Sequence, residues 1–165
     1  MPTTTTRAQK RWREIVADPL LRELPYKVET NAQGQIILSP HENTHSFRQK
    51  AIQDLLDEHA PDGFSPPEFA IATEQGVKVP DVVWMSSGRR EKMEATGDPS
   101  TLAPEICVEI LSESNTVEEM GEKRTLYRDV GAEEVWIVNQ DGQIRFFIDE
   151  EQTQSTIAPD CPDHV

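Results

Sequence analysis

Three short apolar runs decide most of what this chain can become: Val82-Val83-Trp84, Ile106-Cys107-Val108 and Val135-Trp136-Ile137-Val138. Each fits one β-strand, rich in β-branched and aromatic residues. Apolar residues make up only 36% of the chain, but gathered into such runs they describe a folded protein with polar ends rather than a disordered one. Helical patterns lie between the runs. The strongest spans Asn43 to His59, where Phe47, Ala51, Ile52, Leu55 and Leu56 recur at i, i+4, i+5, i+8 and i+9 and form one apolar stripe.

Thr116 to Val130 reads as another helix, and Thr6 to Leu24 as an amphipathic one broken near Pro19. Tyr26 to Thr30 and Gln35 to Leu38 flank Asn31-Ala32-Gln33-Gly34 as a β-hairpin. Strands are expected at Glu68 to Thr73, Lys78 to Met85, Pro104 to Ser112, Glu134 to Asn139 and Gln143 to Ile148. The stretch Ser86 to Pro104, rich in Gly, Pro, Ser and charge, is expected to be a mobile loop. This order predicts an α/β protein, a mixed sheet flanked by helices with an N-terminal helix and hairpin. Residues 1–25 form a helical extension, 26–149 the main domain, and 150–165 a polar acidic tail expected to be disordered or to dock on a partner.

At 165 residues the chain can enclose a core without disulfides. Cys107 lies in an apolar run and Cys161 in the polar tail, so both read as free thiols. No stretch approaches the roughly 18–20 apolar residues of a membrane span. Met1-Pro2-Thr3-Thr4-Thr5-Thr6 lacks the apolar core of a signal peptide, and a cytoplasmic protein is expected. The 30 acidic against 16 basic residues, net −14, weigh against a polyanionic partner, because phosphate contacts need Lys and Arg to replace counterions. Arg7, Lys10, Arg11 and Arg13, with the pairs Arg89-Arg90 and Lys123-Arg124, are too sparse for a nucleic-acid footprint.

Three residues carry candidate chemistry. Asp81 stands directly before the run Val82-Val83-Trp84, on the face of Val83 and Met85. Taken alone it suits the turn chemistry of a Pro-Asp strand start better than a site. Glu109 interrupts the apolar strand Glu105 to Leu111. A carboxylate there must be paired, hydrogen-bonded or metal-bound if the strand is buried; a half-exposed strand with a polar face is the alternative. Lys123 falls between Met120 and Tyr127 on the buried side of the following helix, where it can snorkel to solvent or reach a carboxylate on the preceding strand. Two carboxylates on neighbouring strands suit Mg²⁺ or Mn²⁺. Such a metal with an adjacent ammonium points to phosphodiester hydrolysis.

The order Pro80-Asp81, a strand bearing Glu109, then a helix bearing Lys123 resembles the PD-(D/E)XK nuclease superfamily. More narrowly, Gly76-Val77-Lys78-Val79-Pro80-Asp81-Val82-Val83-Trp84, Pro104-Glu105-Ile106-Cys107-Val108-Glu109-Ile110-Leu111-Ser112, Lys123-Arg124-Thr125-Leu126-Tyr127 and Gly131-Ala132-Glu133-Glu134-Val135-Trp136-Ile137-Val138 are similar to its putative restriction endonuclease family, over roughly Ser39 to Phe147. The resemblance implies a restriction-endonuclease-like domain with an αβββαβ core, Mg²⁺ or Mn²⁺ held by Asp81 and Glu109, and DNA as substrate. The superfamily lysine, two residues after the second acid, is Leu111 here, so that role passes to Lys123. For the first-helix acid and the family's histidine the weak candidates are Glu42 and His45, each also explained as a helix-start residue; Glu119 is read as an ordinary i+4 ion-pair partner of Lys123.

Two function classes follow. One is a metal-dependent endonuclease cutting DNA, with RNA an open substrate and a homodimer the commonest way to cut two strands. The other is a nuclease-fold protein without cleavage activity that serves as a binding or assembly module, motivated by the acidic bias and by Leu111.

Overall fold

A computed structural model describes residues 6–40 and 42–165. Residues 1–5, on which the signal-peptide expectation largely rests, lie outside the described residues. In chain order the elements are α1 (Arg7–Ala17), α2 (Pro19–Arg22), β1 (Tyr26–Thr30), β2 (Ile36–Pro40), α3 (Asn43–His59), β3 (Gly63–Phe64), β4 (Ile71–Thr73), β5 (Gly76–Lys78), β6 (Val82–Ser86), α4 (Ser87–Glu94), β7 (Ile106–Ile110), α5 (Val117–Asp129), β8 (Glu134–Val138), β9 (Ile144–Phe147) and β10 (Glu151–Gln152).

The three apolar runs become adjacent strands in a six-stranded sheet of order β10-β9-β8-β7-β6-β3. β7 and β8 are parallel, joined by α5 as the crossover, and the other neighbours are antiparallel, so the sheet is mixed. Because both faces are covered, the central strands are apolar on both sides. Val82, Trp84, Ile106, Val108, Ile110, Trp136 and Val138 pack with Ile52 and Leu56 of α3 on one face. Val83, Met85, Cys107, Val135 and Ile137 pack with Met93 of α4 and Met120 and Tyr127 of α5 on the other. Ile52 and Leu56 are fully buried, each worth about 1.5–3 kcal/mol by transfer from water. Asp81 precedes β6 in register with Val83, and Glu109 alternates with Cys107, so both carboxylates face the α5 side.

β1 and β2 pair as a separate hairpin laid against β5, tied by Thr30 Oγ1 accepting from Val77 N–H (2.8 Å) and Thr30 O accepting from Lys78 Nζ (2.9 Å). The β4–β5 turn turns on Gly76, whose φ of +91° disfavours any other residue; a β-carbon there would also collide with the carbonyls of Thr30 and Asn31.

Three expectations are corrected. Residues 86–104 are not a mobile loop: Ser86 caps α4 through the Arg89 N–H, and Met93, Ser100 and Ala103 are buried. Residues 151–165 are not a loose tail. They fold back on the sheet because the buried Glu134 carboxylate accepts from Ser155 Oγ, Thr156 N–H and Ile157 N–H (3.0–3.2 Å), and Ala158 and Cys161 join the α3-side core. The N-terminal helix broken near Pro19 is present as expected, as α1 and α2, and Gln9 ties it in: its buried amide donates to the carbonyls of Thr96 (2.9 Å) and Pro99 (2.7 Å). Finally, Phe47 stands out of the α3 stripe, 77% exposed, because helical spacing puts it on the far side of α3 from Leu56 and from His45 and Gln49, which reach Asp81. Both cysteines are free, and among the described residues no helix is long and apolar enough to cross a membrane.

Candidate functional site

Asp81 does two things at the end of the β6–β7 ladder. Its N–H donates to Val108 O (2.9 Å), and, where the register past Pro80 would leave the next strand position open, its own Oδ2 accepts from Ile110 N–H (2.7 Å). The backbone and one carboxylate oxygen of Asp81 thus serve the start of β6. Oδ1 is turned the other way, 3.0 Å from Lys27 Nζ and 3.2 Å from His45 Nε2. Gln49, one turn after His45 on α3, donates to the Asp81 carbonyl at 2.8 Å and fixes the helix against the strand.

Glu109, 2% exposed, divides its oxygens similarly. Oε1 accepts from the Tyr127 hydroxyl (2.6 Å) and Lys123 Nζ (3.1 Å), whereas Oε2 faces Lys27 Nζ at 3.4 Å. Lys123 does not snorkel away: it also contacts both carboxylate oxygens of Glu29 at 3.1 Å. Glu29 in turn accepts from Val79 N–H at 2.6 Å. The result is one buried cluster of Glu29, Asp81 and Glu109 against Lys27 and Lys123, with His45 and Tyr127 at its edges.

Of the sequence-predicted residues, Asp81, Glu109, Lys123 and His45 are brought together. Glu42 is not: it is exposed at the α3 N-cap position and makes no side-chain cap there. Lys27, Glu29 and Tyr127 are absent from the predicted set. Lys27 and Glu29 alternate on one face of β1, a signal present in the spacing Tyr26-Lys27-Val28-Glu29-Thr30.

Burial would push the Asp81 carboxyl up, but Lys27, the His45 hydrogen bond and the Ile110 N–H together hold it below the ordinary carboxylate range. Glu109 goes the other way. Its complete burial raises it, and the Lys123 and Lys27 ammoniums do not fully offset that burial and the neighbouring carboxylates of Asp81 and Glu29. For Lys27 and Lys123, burial alone would lower the ammoniums, yet Glu109 and the other carboxylates raise both. Burial, then Glu109, keeps the Tyr127 hydroxyl protonated and donating.

Among the described residues no three acidic, histidine or cysteine side chains stand as a ready-made metal cage; the ammoniums occupy the space between the carboxylates. The donor set nevertheless suits a hard divalent cation, because one oxygen each of Asp81 and Glu109 converges on a single cationic centre. A cleft of about 1060 Å³ opens beside the cluster, lined by Glu29, Lys78, Lys123 and the α5 acids Glu118, Glu119 and Glu122.

A family model described as "Putative restriction endonuclease" (Uma2) matches residues 16–160, a span that holds every residue of the cluster. The chain belongs to this family. Comparison with curated proteins gives no match. Among solved structures, the crystal structure of a putative nuclease belonging to DUF820 from Anabaena variabilis ATCC 29413 superposes with a TM-score of 0.66 at 14% identity, covering 84% of this chain and 86% of that one. At that identity the likeness concerns the fold, and it agrees with the restriction-endonuclease-like architecture expected from the motifs. In this Uma2 chain the superfamily's lysine position, Leu111, is half-buried against the α5-side core, and the ammoniums near the acids come from β1 and α5.

Proposed function

We propose that this chain is a Mg²⁺- or Mn²⁺-dependent endonuclease that hydrolyses phosphodiester bonds in DNA, with Asp81 and Glu109 as metal ligands and Lys123 as the assisting ammonium. The observation that carries this reading is the convergence of Asp81 Oδ1 and Glu109 Oε2 on one cationic centre, at 3.0 and 3.4 Å. A divalent ion held there would supply an activated water and stabilise the charge that builds on the phosphate.

The chain's own residues perform the remaining work. Ile110 N–H and Tyr127 OH each bind the far oxygen of a ligand carboxylate, which aims the near oxygens at the same point and fixes their rotamers. His45 and Gln49 hold Asp81 from α3. Lys123, anchored between Glu29 and Glu109, places a fixed positive charge at the cleft wall, where an approaching phosphate oxygen or its attacking water can be oriented. A plasmid-nicking assay with Mg²⁺ or Mn²⁺ on wild type and Glu109→Ala tests the assignment: wild type nicks and the variant loses at least a hundredfold in rate, whereas equal cleavage by both sinks it. Double-strand cutting would require two copies of the site, and a homodimer in solution is the accompanying expectation.

A second reading, a nuclease-fold module without cleavage activity, is favoured by the same carboxylates being paired to lysines and by the net charge of −14. Calorimetric titration with Mn²⁺ separates the two, since such a module shows no saturable binding that depends on Asp81.

A further inference from the structure

We propose that Lys27 is a tethered cation that holds the divalent-metal position between Asp81 and Glu109, so that metal enters by displacing an ammonium of the protein's own chain. This rests on the reading of Asp81 and Glu109 as metal ligands and adds a residue that the motifs do not contain.

The division of the oxygens points to it. Asp81 Oδ2 is taken by Ile110 N–H, and Glu109 Oε1 by Tyr127 and Lys123. The other two oxygens, Asp81 Oδ1 and Glu109 Oε2, face Lys27 Nζ, and His45 Nε2 stands 3.2 Å from the first of them. An ammonium is a compact point charge with three donors, able to stand between two carboxylates as a metal ion does but without fixed directional bonds. Two carboxylates as buried as Asp81 (1%) and Glu109 (2%) would repel each other at the end of the β6–β7 ladder if nothing stood between them. A cation between them relieves that repulsion before metal arrives, and the chain supplies one.

Lys27 is placed to yield, whereas Lys123 is not. Lys123 sits on α5 in the packed crossover between β7 and β8, and three carboxylate oxygens from Glu29 and Glu109 grip it. Lys27 belongs to β1 of the separate two-stranded hairpin, outside the six-stranded sheet, and among the described residues its ion pairs go to the two proposed ligand residues. The cluster carries three carboxylates, Glu29, Asp81 and Glu109, against two ammoniums, Lys27 and Lys123. Exchange of Lys27 for a divalent ion at the shared position keeps both carboxylates paired, and it sends the Lys27 ammonium elsewhere.

The test is Mn²⁺ binding by calorimetry at fixed pH and ionic strength on wild type, Lys27→Met, Lys27→Gln and Asp81→Asn, with melting temperatures in EDTA and in Mn²⁺. Lys27→Met and Lys27→Gln should bind Mn²⁺ at least tenfold more tightly than wild type, and their melting temperatures should rise more on Mn²⁺ addition. If these variants unfold in EDTA, recovery of the fold on adding Mn²⁺ supports the proposal, and failure to recover overturns it, because metal then does not replace the ammonium. Saturable Mn²⁺ binding that Asp81→Asn abolishes but Lys27→Met leaves unchanged or weakens overturns the role of Lys27 alone. Absence of Asp81-dependent binding in wild type and in both Lys27 variants overturns the metal reading as well.

Discussion

Replacement of Tyr127 by Phe removes a single oxygen from the edge of the proposed site. That oxygen donates to Glu109 Oε1 at 2.6 Å, with the ring fully buried between α5 and the sheet. A hydrogen bond to a charged group is worth about 1.5–3 kcal/mol. The ring stays, so almost no packing is lost, and Lys123 still serves the same oxygen, which puts the expected loss near the middle, about 2 kcal/mol. For a domain of this size that corresponds to a fall of about 4–8 °C in melting temperature. A second readout separates orientation from mere stability: without its hydroxyl partner the Glu109 carboxylate can rotate, and loss of such an outer partner typically lowers metal affinity by about 10–100-fold. Urea unfolding of Tyr127→Phe, Glu109→Gln and the double variant gives the coupling energy directly, expected to exceed about 1 kcal/mol. Additive single effects, with Mn²⁺ affinity unchanged in Tyr127→Phe, would refute the role assigned to the hydroxyl.

Deletion of residues 151–165 strips Ser155 Oγ and the Thr156 and Ile157 N–H groups from the buried Glu134 carboxylate, and stability should fall by about 3–5 kcal/mol; an unchanged urea midpoint would show that the segment does not pack as described. Asp81 lies below the ordinary carboxylate range when folded and near about 3.9 when unfolded, so its stabilisation is present above about pH 4 and lost as pH falls through the folded value. Unfolding free energy of Asp81→Asn should therefore be lower than wild type at pH 7 and fall less steeply between about pH 4 and pH 2; parallel curves would contradict the pairing with Lys27 and His45.

What could be read from the sequence follows from where burial leaves a local trace. α3 is legible from Asn43 to His59 because its buried residues recur at helical spacing, and the central strands because both of their faces are covered. Asp81, Glu109 and Lys123 are legible as charges where an apolar pattern demands none. By contrast, α4 buries one apolar side chain, Met93, among charged neighbours, so no stripe exists to be read. Lys27 and Glu29 look like the solvated face of a polar hairpin; their burial arises only when the hairpin closes over Asp81 and Glu109, 54 and 82 residues further on from Lys27. Glu42 fails for the opposite reason, since a residue just before a helix has the right spacing to His45 but no element carries it toward the sheet.

The net charge of −14 takes a different meaning once the cations are located. Glu118 and Glu119, on the cleft wall, lie in the first turn of α5, where they favour the helix dipole, so their place is explained by the helix without reference to a ligand. The site's basic groups are already committed: Lys27 to Asp81 and Glu109, Lys123 to Glu29 and Glu109, and Lys78 to the Thr30 carbonyl. A phosphate therefore meets a cleft whose lysines are each held by a protein partner, Lys27 and Lys123 by carboxylates and Lys78 by a carbonyl. Under the proposed exchange, one divalent ion brings its own charge and also releases Lys27 from the two acids. Affinity for a polyanion then depends on metal rather than on a basic surface, and an acidic chain can carry a phosphodiesterase site.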